Sequence, residues 1–386
     1  MKASTATPQQ ADSSTSPSLT RGTAIAAMPH DRHARSITKG VGLSIATLAV
    51  YCGLVAATLL VDEWWLKIIL APATGLQIGI LLVVAHDACH GSLTPRGPLN
   101  RFIATMFLLP AWHPYSSWKH THNGIHHGWT NVRGKEIVYV PFSLSEFEAL
   151  PRWRRLAERL FRTAPGLCFF YLCTVYPLHE LFPNRARAPK GRQYVAFQWE
   201  RILVLAFIVG QVALAIAVAS WSGRHMLLEV AAAAILPTPF FFAAFGTVTF
   251  LHHTHPKAPW FNESDLEHYD ILQATVHVEL PRPIEWLLLE IVQHTAHHAD
   301  ARVPLYNLSR VQLALERTFP EIVHEPFTFD GYFRTIRTCR LFDYENHRWL
   351  DWDGTPLTPP LLPPKPVSTA ARAEAAPAAL EMAASA

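Results

Sequence analysis

The sequence predicts an all-α integral membrane protein with four transmembrane helices in two hairpins. Mean hydropathy is +0.12, and charged residues make up only 16% of the 386 residues, whereas soluble domains usually carry about a quarter. Four apolar segments are each long enough to cross about 30 Å of hydrocarbon as a helix. A net charge of +3, without basic runs interleaved with aromatic residues, argues against nucleic-acid binding.

Short polar linkers divide the four segments into two pairs. The first pair is joined by Asp62-Glu63-Trp64-Trp65 and the second by Ser222-Gly223-Arg224-His225. Such short connections favour antiparallel neighbours, which predicts two tight hairpins. The expected spans are residues 41–61, 66–85, 202–221 and 227–251.

The remaining chain is assigned from composition. Two apolar stretches that contain proline, residues 102–112 and 166–178, are too short to span and are predicted to be interfacial or re-entrant helices. Ser, Thr, Ala and Pro, followed by basic residues, indicate a disordered basic arm at the N-terminus, and the Pro- and Ala-rich C-terminus indicates a disordered tail. The predicted divisions are the arm (1–40), the membrane domain (41–320), a C-terminal cytosolic segment (321–354) and the tail (355–386).

Charge bias gives the orientation. The basic N-terminal arm should stay inside, so the first hairpin returns the chain to the cytosol at residue 86. The loop over residues 91–200 is rich in Lys and Arg, and the second hairpin returns the chain to the same side. We therefore expect a protein of the inner (cytoplasmic) membrane with both termini in the cytosol.

Histidine clusters follow the apolar segments. Twelve of the 21 histidines fall in four short stretches, and neither Cys nor Asp/Glu occurs there at matching ligand spacing. Neutral imidazole suits iron, zinc and copper. The topology places all four clusters on the cytosolic face, which predicts an all-nitrogen or nearly all-nitrogen metal site there. The clusters are His86–His90, His120–His127, His252–His255 and His294–His298.

Spacing indicates which rings share a direction in the first and fourth clusters. His86 and His90 lie at i, i+4 on the end of the second span, so both rings point to one face. Asp87 is expected to accept a ring N–H and to fix the tautomer of a ligand. The fourth cluster has spacing i, i+3, i+4, which again forms one stripe. Its members are His294, His297 and His298.

The second cluster does not fit a regular helix. His122, His126 and His127 lie at i, i+4, i+5, which turns the last ring about 140° from the first. Either the helix is distorted there, for example by a π-type bulge, or the three rings serve two metals. His120 could replace one of them, although we favour His122.

The third cluster follows the fourth span, where His253 and His255 could complete the coordination and His252 is expected to be a bystander. His277 could orient a ligand histidine. Glu321-x-x-His324 is interpreted as a surface pair, because a helical-bundle di-iron centre needs two such motifs.

The number of imidazoles implies two metals, because eight or more exceed what one ion can hold. Zinc usually takes three or four ligands, so one zinc ion would leave half of the histidines unused. A dinuclear iron site with open positions for O₂ is the better fit. Spacing alone leaves other metals open.

Four strings in this chain resemble the membrane-bound fatty acid desaturases, and among them the acyl-lipid, Δ12/omega-6-like bacterial branch. The resemblance covers about residues 41–320, and an ordered set of three histidine boxes carries it. The strings are HDACHGSL at 86–93, WKHTHNGIHHGWTN at 118–131, TFLHHTHP at 249–256 and HTAHHADARVPLYNL at 294–308. The resemblance implies a metal-ligand role for His86, His90, His122, His126, His127, His253, His294, His297 and His298.

The resemblance also implies a fold and a reaction. The four helices would lie under a cytosolic helical cap that carries two Fe ions. An O₂-dependent reaction would insert a cis double bond into a lipid-linked fatty acyl chain held in an apolar tunnel. Since the sequence contains no His-Pro-Gly-Gly heme-binding string, the electrons would come from a separate donor such as ferredoxin with its reductase.

Two alternatives remain open. A related membrane di-iron hydroxylase, acetylenase or carotenoid ketolase would share the metal site, and HDACHG resembles the first box of the ketolases. A membrane metal sensor or transporter is a non-enzyme alternative, but a transporter should place its ligands near the middle of the bilayer.

Overall fold

The computed structural model describes residues 17–363. Within them the chain is mostly helical. The α-helices are α1 (Arg21–Ala27), α2 (Ile37–Leu60), α3 (Trp64–Cys89), α4 (Gly97–Leu108), α5 (Tyr115–Trp118), α6 (Leu144–Ala149), α7 (Arg152–Phe161), α8 (Ala164–Phe170), α9 (Arg192–Ser222), α10 (Met226–Val230), α11 (Pro237–His253), α12 (Arg282–Leu287), α13 (His294–Ala299), α14 (Leu308–Thr318) and α15 (Phe329–Thr338). The π-helical segments are Lys119–His126, Tyr171–Leu181 and Ala231–Ile235, and the strands are β1 (Val276–Glu279), β2 (Val323–Pro326), β3 (Leu341–Asp343) and β4 (Arg348–Leu350).

Four helices in the described part are long and apolar enough to cross a membrane, which confirms the predicted number of spans. They are α2, α3, α9 and the continuous run Met226–His253 formed by α10, a π-helical segment and α11. The third span, α9, begins at Arg192, ten residues before the predicted start at residue 202. Hydropathy marks only the apolar part of a helix, whereas polar residues such as Gln, Glu and Arg extend it readily.

Helix α3 is the centre of the bundle. It packs against α2, α4 and α11, and 56% of its most apolar window is buried, compared with 17% for α9. A Cβ on Gly75 would lie 2.5 Å from the Pro237 carbonyl oxygen, so the approach of α3 to α11 requires a glycine there. This contact holds together two helices that each carry histidines at their C-terminal ends.

The N-terminal prediction needs a correction. Residues 1–16 lie outside the described part, but residues 17–40 are ordered rather than disordered. Helix α1 is capped by Thr20, and Leu19 and Met28 are buried in the main core. Arg21 Nε donates to the Ala299 carbonyl at 3.1 Å. Composition did not reveal this order, because the few apolar residues here pack against distant helices rather than against each other.

The C-terminal region forms two small sheets. Strand β1 pairs in parallel with β2, and β3 pairs antiparallel with β4. The tail predicted to be disordered from residue 355 is ordered at its start, since the Leu357 amide donates to the Trp349 carbonyl at 2.8 Å and the Leu361 amide donates to the His347 carbonyl at 2.8 Å. Residues 364–386 lie outside the described part.

Both short apolar stretches are helical. Residues 102–112 contain the second half of α4, and residues 166–178 contain the end of α8 and most of the π-helical segment Tyr171–Leu181. Their interfacial or re-entrant position stays a prediction.

Candidate metal centre

The fold brings nine predicted ligand histidines together in two adjacent groups. In each group the possible ligand atoms all lie within 4.8 Å of one another. They come from the C-terminal ends of α3 and α11, from the π-helical segment and the residue after it, and from α13. Group one is His86, His90, His122, His127 and His297, and group two is His126, His253, His294 and His298.

A π-helix explains the irregular spacing of the second cluster. The His127 amide donates to the His122 carbonyl at 3.1 Å, which is the i→i+5 bond of a π-helix. His122 and His127 therefore join group one while His126 joins group two. Of the two sequence alternatives, the distorted helix is confirmed. The three rings divide between two groups, and their binding of two metals stays a prediction. A Cβ on residue 128 would lie 2.7 Å from the Gly124 carbonyl oxygen. Glycine at position 128 therefore lets the backbone pass close to this carbonyl where the π-helix ends.

Ring nitrogens converge within each group. His294 Nε2 lies 2.7 Å from His253 Nε2, and His297 Nε2 lies 2.9 Å from His127 Nε2. The two groups adjoin, since the rings of His127 and His298 stack with centroids 4.3 Å apart. The arrangement resembles two neighbouring coordination spheres made of nitrogen.

Burial favours the neutral form of six of these imidazoles, and the neutral form is the one that binds a metal. Removal from water lowers their pKa values well below the usual imidazole value, and neighbouring histidines lower them further. Among groups outside the spans, this holds for the pKa values of His90, His122, His127, His294, His297 and His298.

The donor set fits a pair of metal ions. Thr130 Oγ1 lies 3.2 Å from His298 Nδ1, whereas His298 Nε2 and His90 Nε2 are buried without a hydrogen-bond partner among the described residues. An unpaired buried nitrogen is costly, and coordination of a cation would satisfy it. Five and four imidazoles match two metals better than one.

Glu136 supports the site, and sequence reasoning missed it. Its Oε2 lies 2.8 Å from His126 Nδ1, and its Oε1 accepts from the amides of Ile137 at 2.7 Å and Val138 at 3.2 Å. The carboxylate thus favours the proton on Nδ1 and leaves His126 Nε2 free to bind a metal. Residues 126 and 136 are separated by a loop, so helical spacing could not reveal their contact. The only hint in the sequence was a charged residue directly before the apolar run Ile-Val-Tyr-Val.

Asp87 differs from its predicted role. Its Oδ1 accepts from Ser92 Oγ at 2.7 Å and its Oδ2 accepts from the Leu305 amide at 3.3 Å. Among the described residues it is hydrogen-bonded to no ligand ring. Asp87 therefore links the end of α3 to the loop before α14.

The other candidates lie outside both groups. His120 belongs to neither, and His255 Nδ1 accepts from the Lys257 amide at 3.1 Å. His252 stacks on the ring of His294 with centroids 4.0 Å apart, so it adjoins the site without joining a group. His277 is hydrogen-bonded to Glu316 instead of orienting a ligand.

An apolar cavity adjoins the histidines. Its walls come mainly from α3 and α11, with residues such as Leu76, Val83 and Phe245, and histidines of both groups line it as well. A cavity of this kind can hold a hydrocarbon chain, and the metal-binding nitrogens adjoin it.

Glu180 is an unexpected acid in the cavity wall. Thr121 Oγ1 donates to its Oε1, while its Oε2 is buried with no partner among the described residues. Burial raises the pKa of this carboxyl to about 7. Glu180 can therefore hold or release a proton inside the cavity near neutral pH.

Comparisons with known proteins agree with this geometry. A family model described as fatty acid desaturase matches residues 62–329. The chain is 24% identical over 296 residues to sn-1 oleoyl-lipid 12-desaturase of Picosynechococcus sp., covering 75% of this chain and 81% of that protein. It is 25% identical over 293 residues to the chloroplastic omega-6 fatty acid desaturase of Glycine max (73% and 64%). It is also 25% identical over 325 residues to sn-1 acyl-lipid omega-3 desaturase (ferredoxin) of Synechocystis sp. (81% and 85%).

Proposed function

Because the chain belongs to the fatty acid desaturase family, we propose that it uses O₂ and two histidine-bound iron ions to insert a cis double bond into the acyl chain of a membrane lipid. One observation carries the proposal: five and four histidines converge in two adjacent groups beside an apolar cavity. The relatives named as lipid desaturases support a lipid-linked substrate.

The nine histidines are the proposed ligands, with group one around one iron and group two around the other. Bound iron would supply the O₂ chemistry that removes one hydrogen from each of two adjacent methylenes. Overall, –CH₂–CH₂– and O₂, with two electrons and two protons, give –CH=CH– and two water molecules.

The protein positions the chain and controls water. The apolar walls from α3 and α11 exclude water and fix the depth of the acyl chain relative to the histidines. Glu180 would hold a proton on its free Oε2 at the cavity wall. The protein therefore contributes orientation, a dry site and a proton, while the metals supply the redox chemistry.

The proposed orientation follows the sequence. The spans form two hairpins in the inner membrane, and the remaining helices form a cytosolic cap with both termini on that side. Lys and Arg in residues 91–200 support this orientation. The proposed desaturase domain covers residues 41–320, followed by the cytosolic segment 321–354.

A separate ferredoxin with its reductase is the proposed electron donor. Two relatives are named as ferredoxin desaturases. Helix α7 carries Arg152, Arg154, Arg155 and Arg159, which could dock an acidic carrier. Arg-to-Glu reversals there should slow turnover and change its salt dependence; unchanged values would remove α7 from the docking surface.

The proposed activity can be tested by expressing the chain in a host and determining its fatty acids and double-bond positions by mass spectrometry. The intact chain should produce a new unsaturated species that the His297→Ala/His298→Ala variant does not. The matched control is His120→Ala, which changes a histidine outside both groups and should retain activity.

Other outcomes would contradict the proposed reaction in different ways. Hydroxylated or acetylenic acids would keep the metal site and change the reaction class. An unchanged profile, with iron bound and reductant supplied, would overturn the acyl substrate in favour of another lipid such as a carotenoid.

A further inference from the structure

A third cluster of metal-ligating side chains lies outside both histidine groups. It consists of His277, Glu316 and His324, whose possible ligand atoms all lie within 4.8 Å of one another. His277 on β1 and His324 on β2 occupy paired positions of the parallel ladder, and their rings stack with centroids 4.6 Å apart. Paired residues of neighbouring strands project to the same face, so the ladder places two imidazoles side by side.

Glu316, from α14, joins the two rings. Its Oε1 is hydrogen-bonded to His277 Nδ1, and its Oε2 lies 3.9 Å from His324 Nδ1. Gln312 Nε2 donates to Glu316 Oε1 at 2.9 Å, which holds the carboxylate in place. One carboxylate and two imidazoles from three separate elements therefore face one point.

The hydrogen bond on the far side of His324 favours metal binding. His324 Nε2 lies 3.1 Å from Glu279 Oε2, so this nitrogen donates its N–H and the lone pair lies on Nδ1. That lone pair lies 3.9 Å from Glu316 Oε2, another acceptor, and a cation between the two acceptors would satisfy both. A carboxylate on the outer nitrogen of a metal-bound histidine is a recurrent arrangement in metal sites.

The immediate surroundings also suit a cation. His277 is buried, and its Nδ1 is the nitrogen that faces Glu316. The His324 side chain is 39% exposed, so water can reach the open side. Two histidines, one glutamate and a water form a common zinc coordination set.

We propose that His277, Glu316 and His324 form a third metal site that binds a divalent transition cation, Zn²⁺ in particular. It is independent of the proposed reaction, and it differs from the two histidine groups in including a carboxylate and an exposed side. The cation would fasten β2, which begins the C-terminal region, to β1 and α14.

This third site is connected to the candidate metal centre. Gln312 donates to Glu316 on one side and accepts from the Ala296 amide at 2.8 Å on the other. Thr275, next to β1, also donates from Oγ1 to Thr295 Oγ1 at 3.0 Å. Both bonds end on α13, so an occupied third site would support the helix that carries the fourth histidine cluster.

Zinc binding to the purified, iron-loaded full-length protein tests the proposal. After a mild chelator wash and Zn²⁺ titration, we expect one Zn²⁺ per chain by elemental analysis. His324→Ala and Glu316→Gln should lose this zinc while retaining iron, and Glu279→Gln should weaken zinc binding by about 10–100-fold. The matched control, His268→Ala, changes an exposed histidine outside the cluster and should bind zinc as wild type does.

Co²⁺ absorption provides a second readout that does not depend on enzyme activity. Co²⁺ added to iron-loaded protein should give ligand-field bands that disappear in His324→Gln, a variant that conserves size and polarity if His324→Ala fails to fold. The His297→Ala/His298→Ala variant should keep the third site, which separates this proposal from the proposed desaturase activity. No zinc bound by wild type, or equal zinc in wild type and the cluster variants, would overturn the site and leave the three residues as a hydrogen-bonded contact.

Discussion

Glu136→Gln tests whether one buried carboxylate sets the tautomer of a metal ligand. Glu136 is 4% exposed, and one of its oxygens accepts from two backbone amides while the other faces His126 Nδ1. In the amide, the carbonyl oxygen keeps both backbone bonds only if the NH₂ group faces His126. That arrangement forces the ring proton onto Nε2 and blocks the nitrogen that would bind the metal.

The expected loss of iron affinity follows from the hydrogen bond that Glu136 makes to His126. A hydrogen bond to a charged group contributes about 1.5–3 kcal/mol, and loss of such an outer partner typically lowers metal affinity by about 10–100-fold. Since tenfold corresponds to about 1.4 kcal/mol, the two ranges agree. We therefore expect the iron of group two to be lost first, and the iron content to fall from about two ions per chain towards one.

The assay is chelator competition on purified protein, with iron per chain measured by elemental analysis. Glu146→Gln is the matched control, because Glu146 pairs with Arg133 at a distance from the histidines and its side chain is 41% exposed. An identical chelator midpoint for Glu136→Gln and wild type would refute the tautomer argument.

Three further predictions follow from the packing and the cavity. Gly75→Leu should lower the free energy of unfolding by about 1–3 kcal/mol, measured as a lower Tm in detergent. The control Gly53→Leu should leave Tm unchanged, because nothing lies within 4 Å of a Cβ added there. Equal effects of the two substitutions would contradict the close contact between α3 and α11. Burial raises the pKa of Glu180 from 4.5 to about 7, so the stability that the protonated carboxyl contributes is complete below pH 4.5 and is lost as pH rises through about 7. The Tm of wild type should therefore fall between pH 5 and 8, and the Tm of Glu180→Gln should lack this decline. An identical pH profile for the two proteins would show that Glu180 does not cause the decline. Gly79→Phe should narrow the cavity and shift the products towards shorter acyl chains in mass spectrometry; an unchanged chain-length profile would place the substrate elsewhere.

Periodic features of this fold could be predicted from the sequence. Four apolar runs identified the spans, and histidine spacing of three to five residues identified the rings that converge, because helical geometry links residues at those separations. The second cluster was irregular for a physical reason, since its i→i+5 bond belongs to a π-helix.

Features that depend on distant pairing could not be predicted. Glu136 reaches His126 across a loop, and the order of residues 17–40 depends on helices near the other end of the chain. His324 was interpreted as a surface residue, and only the β1–β2 register places it beside His277. No sequence periodicity reveals the pairing of two strands that are separated by 43 residues.

The N-terminal helix has a consequence for biosynthesis. Helix α1 packs against α13 and α14, and the Leu19 amide donates to Glu321 at 2.8 Å. The segment around α1 can therefore pack only after the ribosome has made residues 294–321. Both histidine groups also stay incomplete until the cluster at 294–298 has been translated. The four spans can enter the bilayer during synthesis, but metal acquisition has to be a late event, after most of the chain has left the ribosome.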